Sequence, residues 1–323
     1  MDASNWHKLL CTDRDGYLAA RQAHFAEADV RPKIQHQRFQ DADLSGLDLS
    51  RIDFNLSEFF NCNLAGADLS DCLMRMCRFR QCNFTGAKLC ESNLARGEAI
   101  GCNFTNADLS AASLLLEKLY NSDFTGAILN NADFSAAEAP EVSFANIQAE
   151  RCFWHKADLR NCDFKGAKMP RNVMRTAALS GSQLPEVDLS DSDLTYTVLH
   201  NTNLQGALLA ESNLSNCFFQ DTNLAGADLT RARMDTVDFE QVDLTGAKLG
   251  GVLTDRIETQ EDRERHAKVK QDAMEQFELL QLKQNGSNGE EKPAAPAELG
   301  QFMQNEADNA SVPVDSGADG EDQ

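Results

Sequence analysis

Residues 37–71 read QRFQD-ADLSG-LDLSR-IDFNL-SEFFN-CNLAG-ADLSD when broken into fives. Phe39, Leu44, Leu49, Phe54, Phe59, Leu64 and Leu69 then fall at the centre of each unit. The register runs without a slip to Leu224, Leu229, Met234, Phe239, Leu244 and Leu249. It makes 43 consecutive pentads, 40 of them centred on Leu, Phe, Met or Trp; Ala99, Ala139 and Ala149 are the exceptions. A fixed short period over two-thirds of the chain marks a repeat architecture, each unit resting on its neighbours.

Period five fits neither a helix nor an ordinary strand. Two residues before each centre a second position is held almost entirely by small residues, such as Ala42, Cys62, Ala67, Cys72, Cys77 and Ser92. Two residues after it Gly recurs (Gly46, Gly66, Gly86, Gly126), and Asp or Asn stands directly before it (Asp43, Asp68, Asn83). Two inward positions two apart are the alternation of extended backbone. Gly, Asn and Asp supply the turn that bends the chain at each unit. A chain that turns after every short extended piece winds into a coil.

Ala42-Asp43-Leu44-Ser45-Gly46, Ala67-Asp68-Leu69-Ser70-Asp71 and Ala227-Asp228-Leu229-Thr230-Arg231 match A(D/N)LxX as they stand. The pattern resembles the pentapeptide-repeat family over residues 37–251. The resemblance implies an all-β solenoid, a right-handed, four-sided, parallel β-helix with four pentads per coil. Centres 20 apart should then stack, and Phe84, Phe104, Phe124, Phe144 and Phe164 form such a column, continued by Leu184, Leu204, Leu224 and Leu244. At the inter-strand spacing of ~4.8 Å the repeat gives about eleven coils, a rod on the order of 50 Å long. Pro140, Pro170 and Pro185 each follow a centre, where a missing N–H is least costly. Ala99 and Ala139 share a column and predict a bulge, a loop or a thin core there.

The four parts of the chain are an N-terminal helical cap (1–36), the coil (37–251), a C-terminal helix (252–284) and a disordered acidic tail (285–323). In the first, Trp6, Leu9, Leu10, Tyr17, Leu18 and Phe25 predict a helix over about Asp13–Ala28 that covers the open coil end. In the third, Ile257, Val269, Ala273, Phe277 and Leu280 recur at roughly helical spacing. That helix either folds back over the last coil or pairs with a second copy as a homodimer. The tail has nine acids, one Lys and almost no aromatics.

Little in the sequence points to catalysis. Cys62, Cys72, Cys77, Cys82, Cys102, Cys152, Cys162 and Cys217 all occupy the small inward site, where Cys acts as a small hydrophobe. Successive cysteines there face successive sides of the coil and do not converge on a metal. The six histidines are scattered and none forms a ligand-spaced pair. No Gly-rich phosphate loop and no Ser-His-Asp set stands out. The expectation is a protein without catalytic residues, cofactor or metal. The absence of an apolar leader or long apolar run predicts a cytoplasmic protein that does not enter a membrane.

The net charge of −21 divides into 0 for the N-terminal part, −11 for the coil, −2 for the C-terminal helix and −8 for the tail. The coil register sorts the outward residues by side. The side of Leu49 and Leu69 carries Asp48, Asp68, Asp71, Glu91, Asp108, Asp188, Asp191, Glu211 and Asp228, diluted by Lys88, Lys168, Arg151 and Arg171. The side of Phe39 and Phe59, with its adjoining corner, carries Phe60, Arg75, Met76, Arg78, Arg80, Arg96, Ile100, Leu116, Tyr120, Tyr196, Val198 and Phe218. Aromatic, Met and Arg enrichment on an outward surface is the composition of an interface core. It predicts a protein partner, or cover by the chain's own flanks or a second copy.

The resemblance also implies function, since the family includes acidic rods that resemble duplex DNA and occupy the DNA groove of type II topoisomerases. The first expectation is therefore an inhibitor or immunity protein. It would neutralise a topoisomerase or nuclease toxin by filling the enzyme's DNA cleft, without binding nucleic acid itself. The nine carboxylates named above would be the DNA-mimicking side. Residues 151–175, with seven bases against two acids, do not suit a pure DNA mimic. They suit an immunity protein that grips through apolar and Arg contacts. The second expectation is a scaffold, adaptor or effector of a bacterial secretion system.

Overall fold

A computed structural model describes residues 3–27, 31–237 and 241–254. All of them fall in the first of two compact units, residues 1–274, and the second, 275–323, lies outside the described residues. The expected C-terminal helix and acidic tail likewise lie outside them, apart from residues 252–254.

From residue 31 onward the chain is a parallel coil. Every isolated bridge, from Lys33–Asp53 to Arg233–Leu253, joins residues 20 apart. The bridges form four series that start at Lys33, Arg38, Asp43 and Asp48, each at the position before a pentad centre. Backbone bonds alternate between coils in the slanted parallel manner: Leu44 N–H donates to Asn63 O at 2.7 Å, and Asn63 N–H to Ala42 O at 2.9 Å. Only the first four turns of the Arg38 series lengthen into strands: β1 (Arg38–Gln40), β2 (Glu58–Phe60), β3 (Arg78–Arg80) and β4 (Glu98–Ile100). They form one sheet in order β1-β2-β3-β4, with Phe39, Phe59, Phe79 and Ala99 in register.

The bend recurs without exception among the described residues. All 44 residues two after a centre, from His36 to Gly251, have φ between 52° and 75°. This left-handed region costs an L-residue roughly 1–2 kcal/mol and costs Gly nothing, which explains Gly46, Gly66 and Gly86 on one corner. Thirty-three of the 44 are nevertheless not Gly.

Inside, rings at the centres stack coil on coil. Phe84, Phe104, Phe124, Phe144 and Phe164 lie 4.6, 4.6, 5.2 and 5.0 Å apart, and Phe39, Phe59 and Phe79 lie 4.5 and 4.8 Å apart. The smaller inward position has its own chemistry. A hydroxyl or thiol there donates to the carbonyl of the centre one coil below: Cys72 to Leu49 O at 3.0 Å, Ser122 to Ala99 O at 2.7 Å, Thr197 to Met174 O at 2.9 Å. Cys, Ser and Thr exchange with Ala at this position because each satisfies its own donor. The eight inward cysteines are buried as free thiols. Burial pushes those of Cys72, Cys77 and Cys152 up to about 12, far from a reactive thiolate.

The expected bulge or loop at Ala99 and Ala139 is absent: both are fully buried, and Gly101 and Glu141 keep the regular bend. The thinned core is filled by a residue the pattern hides. Glu117 points inward and is fully buried, and Gly97 N–H donates to its Oε2 at 2.7 Å. Gly97 leaves the room, since a Cβ there would come within 2.4 Å of Cys77 O. The other oxygen, Oε1, finds no partner among the described residues. Burial, and then the nearby Glu98 carboxylate, hold the Glu117 carboxyl protonated well above the usual range.

The two coil ends differ. At the N-terminal end sit two helices, α1 (Ala3–Thr12) and α2 (Arg14–Glu27), where the sequence predicts only the second. Trp6, Leu10 and Tyr17 are buried, with Trp6 edge-on to Tyr17 at 5.8 Å. His7 packs edge-on against Phe39 at 4.6 Å. Tyr17 donates its hydroxyl to Asp48 O at 2.6 Å, and Arg14 donates to Ser45 O at 2.8 Å. The first central residue of the coil is Ile34, one pentad before Phe39, with Lys33 bridged to Asp53. At the C-terminal end Leu249 and Leu253 are 48 % and 58 % exposed.

Candidate interaction surface

The acidic side is less available than its composition suggests. Asp48, Asp68, Asp108, Asp188 and Asp228 each accept the backbone N–H two residues on, at 3.0–3.1 Å, which braces the bend. Several also meet bases: Asp48 meets Arg21 at 2.7 Å, Asp71 meets Arg31 at 2.8 Å, Glu211 meets Arg231 at 3.0 Å and Asp191 meets Arg171 at 3.7 Å. The hydroxyl and amide of Thr230, with Lys248 at 3.1 Å, hold the Asp228 carboxyl down at about 2. Among the described residues Glu91 is exposed and makes no ion pair. The charges are real, but most already serve a bend or a neighbouring base.

On the other side Arg78 and Arg80 belong to a charge ladder. Arg78 meets Glu58 at 2.7 Å and Glu98 at 3.3 Å, and Arg80 meets Glu98 at 3.1 Å. The strand register puts Glu58, Arg78 and Glu98 directly above one another. Phe60 is half-buried, with Arg38 over its ring at 4.7 Å. Ile100 and Tyr120 are also half-buried, and Tyr120 donates to the Glu138 carboxylate.

The neighbouring corner is the more informative feature. Its left-handed positions are His36, Leu56, Met76, Arg96, Leu116, Ala136, Lys156, Thr176, Tyr196, Asn216 and Thr236, without one Gly. Leu56 and Met76 sit there 42 % and 54 % exposed, so they bear backbone strain and gain little burial in return. Arg75 and Arg96 beside them are exposed and make no ion pair among the described residues. The sequence reading found Met76 and Leu116 but missed Leu56, which lies one 20-residue step before Met76 on the same corner.

The structure thus gathers Phe60, Arg75, Met76, Arg78, Arg80, Arg96, Ile100 and Leu116 on the first coils. It separates them from Tyr196, Val198 and Phe218, where Val198 is buried and Tyr196 and Phe218 are half-buried. Among the described residues no cluster could hold a metal ion, and no helix is long and apolar enough to cross a membrane.

The fold is a parallel β-solenoid of five-residue units. The chain belongs to the pentapeptide-repeat family, whose model matches residues 38–75, 77–114, 118–152, 174–209 and 202–241 as eight copies. Family membership carries the right-handed sense of the β-helix. No curated protein sequence matches the chain. Among solved structures it is similar to HetL, a pentapeptide-repeat protein involved in heterocyst differentiation regulation in the cyanobacterium Nostoc. That match has 22 % identity, covers 73 % of this chain and 93 % of HetL, and has a TM-score of 0.48. QnrB1, a plasmid-mediated fluoroquinolone resistance protein, is 17 % identical over 72 % of this chain and 98 % of its own, with a TM-score of 0.31. A pentapeptide-repeat protein of the Arabidopsis thaliana thylakoid lumen is 29 % identical over 31 % of this chain and 67 % of its own, with a TM-score of 0.28.

Proposed function

We propose that this chain is a non-enzymatic, protein-binding rod, four-sided and of about eleven coils. In this reading it acts in a bacterial cytoplasm as an inhibitor or immunity protein. It neutralises a DNA-acting enzyme, a nuclease toxin or topoisomerase, by blocking the DNA cleft. The observation that carries the binding role is the strained corner. Leu56 and Met76 hold left-handed conformations while exposed, so the bend presents two apolar side chains outward without burying them in the coil. Arg75 and Arg96 beside them complete the apolar and Arg composition of a binding hot spot.

The negative charge has a secondary role. With so many carboxylates paired or bracing bends, we read the coil's −11 as a steering field toward a cationic cleft rather than as a phosphate-by-phosphate copy of DNA. The test is capture of the partner from the native host, followed by a salt titration of the complex and an assay of its DNA cleavage. Association that slows steeply with salt, with loss of cleavage in the complex, supports this reading. A complex insensitive to salt whose partner stays active on DNA refutes it and favours a scaffold or secretion adaptor.

A further inference from the structure

Between residues 37 and 254 the described chain has twelve arginines, and nine of them lie within 4.0 Å of a carboxylate. The other three are Arg38, Arg75 and Arg96, all on the first four turns. Arg38 lies over the Phe60 ring at 4.7 Å. Arg75 and Arg96 flank exposed Met76 on the strained corner. Arg75 precedes it in the chain, and Arg96 stands one coil on, where Met76 N–H donates to Ala95 O at 3.0 Å. The carboxylates on the adjoining strands, Glu58 and Glu98, are held by Arg78 and Arg80. The corner also lacks acids of its own. Its two positions per coil run Gln35-His36, Asn55-Leu56, Arg75-Met76, Ala95-Arg96, Leu115-Leu116 and on to Ser215-Asn216 without one Asp or Glu, in a coil of net charge −11. The acidic side keeps Asp71, Glu91, Glu150, Asp191 and Glu211 on its matching corner. Two fork-shaped donors that match planar carboxylates are thus left unmatched by this acidic chain.

We propose that this corner takes an acidic peptide segment of the partner, with an apolar side chain set between two carboxylates. The inference rests on the reading of the corner as the binding surface and adds the chemistry of what it binds. Leu56 and Met76 meet the apolar side chain, and Arg75 and Arg96 each donate to one carboxylate. Neighbouring coils set the two arginines about 5 Å apart along the rod. Residues four apart on a helix or two apart on a strand of the partner meet that spacing. The patch gripped by the corner is then acidic, and so distinct from a cationic DNA cleft. A partner that offers both gives the coil's negative field and its basic corner separate roles.

The test pans a phage library of random dodecapeptides on the immobilised full chain. Counter-selection on Leu56→Asn with Met76→Asn keeps the peptides that need the corner. Those peptides are expected to carry Asp or Glu around a Leu, Met or Phe. They should bind Arg75→Glu with Arg96→Glu at least about tenfold more weakly than the native chain. Arg75→Gln with Arg96→Gln removes the charge without reversing it and should give a smaller loss of the same sign. Corner-dependent peptides that are neutral or basic, or that bind both arginine variants as tightly as the native chain, overturn the inference and leave the corner a binding surface of other chemistry. A library that yields no corner-dependent peptide overturns the inference together with the reading it rests on. A short DNA duplex that binds the native chain more tightly than the peptides do, and fails to bind the Arg75→Glu, Arg96→Glu chain, overturns it in favour of nucleic acid. Self-association of the native chain that the same variant abolishes overturns it in favour of a second copy. Core thiols that stay unreactive show in each case that the coil is intact.

Discussion

The two halves of this coil are protected in opposite ways. In the N-terminal half the end is closed: Trp6 and Tyr17 are buried over the first coil, while the side is open at Arg78, Arg80 and Met76. In the C-terminal half the side is closed, with Asp158, Arg160 and Val198 buried, and the last coil leaves Leu249 and Leu253 largely exposed. A repeat protein has to shield its terminal coils, and whatever surface stays open is where another protein can reach. Here the open surface coincides with the strained corner, which is why the binding role is placed on the first coils.

Trp6→Ala removes the largest buried side chain of the closed end and is expected to cost about 3–5 kcal/mol in chemical denaturation. Leu249→Ala at the open end should cost under about 1 kcal/mol, because little burial is lost. If the two changes cost the same, the ends are not protected differently. The side gives a parallel contrast. Arg160→Ala strands the buried Asp158 carboxylate and should cost about 3–5 kcal/mol. Arg80→Ala breaks an exposed pair and should cost about 0–1 kcal/mol, since Glu98 keeps Arg78 at 3.3 Å.

Glu117 gives the coil a pH dependence of defined sign. Its folded-state value lies above the ordinary 4.5, so the fold holds a proton that the unfolded chain releases. That stabilisation is complete below about pH 4.5 and is lost as pH rises toward the folded value. Glu117→Gln removes the slope and keeps an acceptor for Gly97 N–H. The variant should therefore gain on the native chain as pH rises from acid to neutral. A stability difference that stays flat over that range would mean that Glu117 is ionised in the fold.

The coil was legible in the sequence because its inward positions repeat with little variation. The central Leu or Phe and the small residue two before it are read directly. Four features escaped. Glu117 was hidden because the pattern describes which residues usually point inward, not what a locally thin core admits beside Gly97 and Ala99. The ladder of Glu58, Arg78 and Glu98 was overlooked because bases were counted without the acids one coil away. The burial of Asp158, Arg160 and Val198 at outward positions is a departure from the pattern that a repeat register does not encode. Helix α1 was missed because Trp6 and Leu10 gain their burial against the coil end rather than from a strong local pattern.

The smallest stability change provides the sharpest functional test. Asn suits the left-handed conformation better than Leu or Met, so Leu56→Asn with Met76→Asn should leave the fold unchanged or stabilise it by about 0.5–1 kcal/mol. Calorimetric titration of this double variant against the captured partner tests the central claim directly. The account predicts a coil at least as stable as the native one, with affinity weakened by about tenfold or more. Native affinity in this variant, with binding lost instead in Asp68→Asn with Glu91→Gln, would contradict it and return the partner to the acidic side.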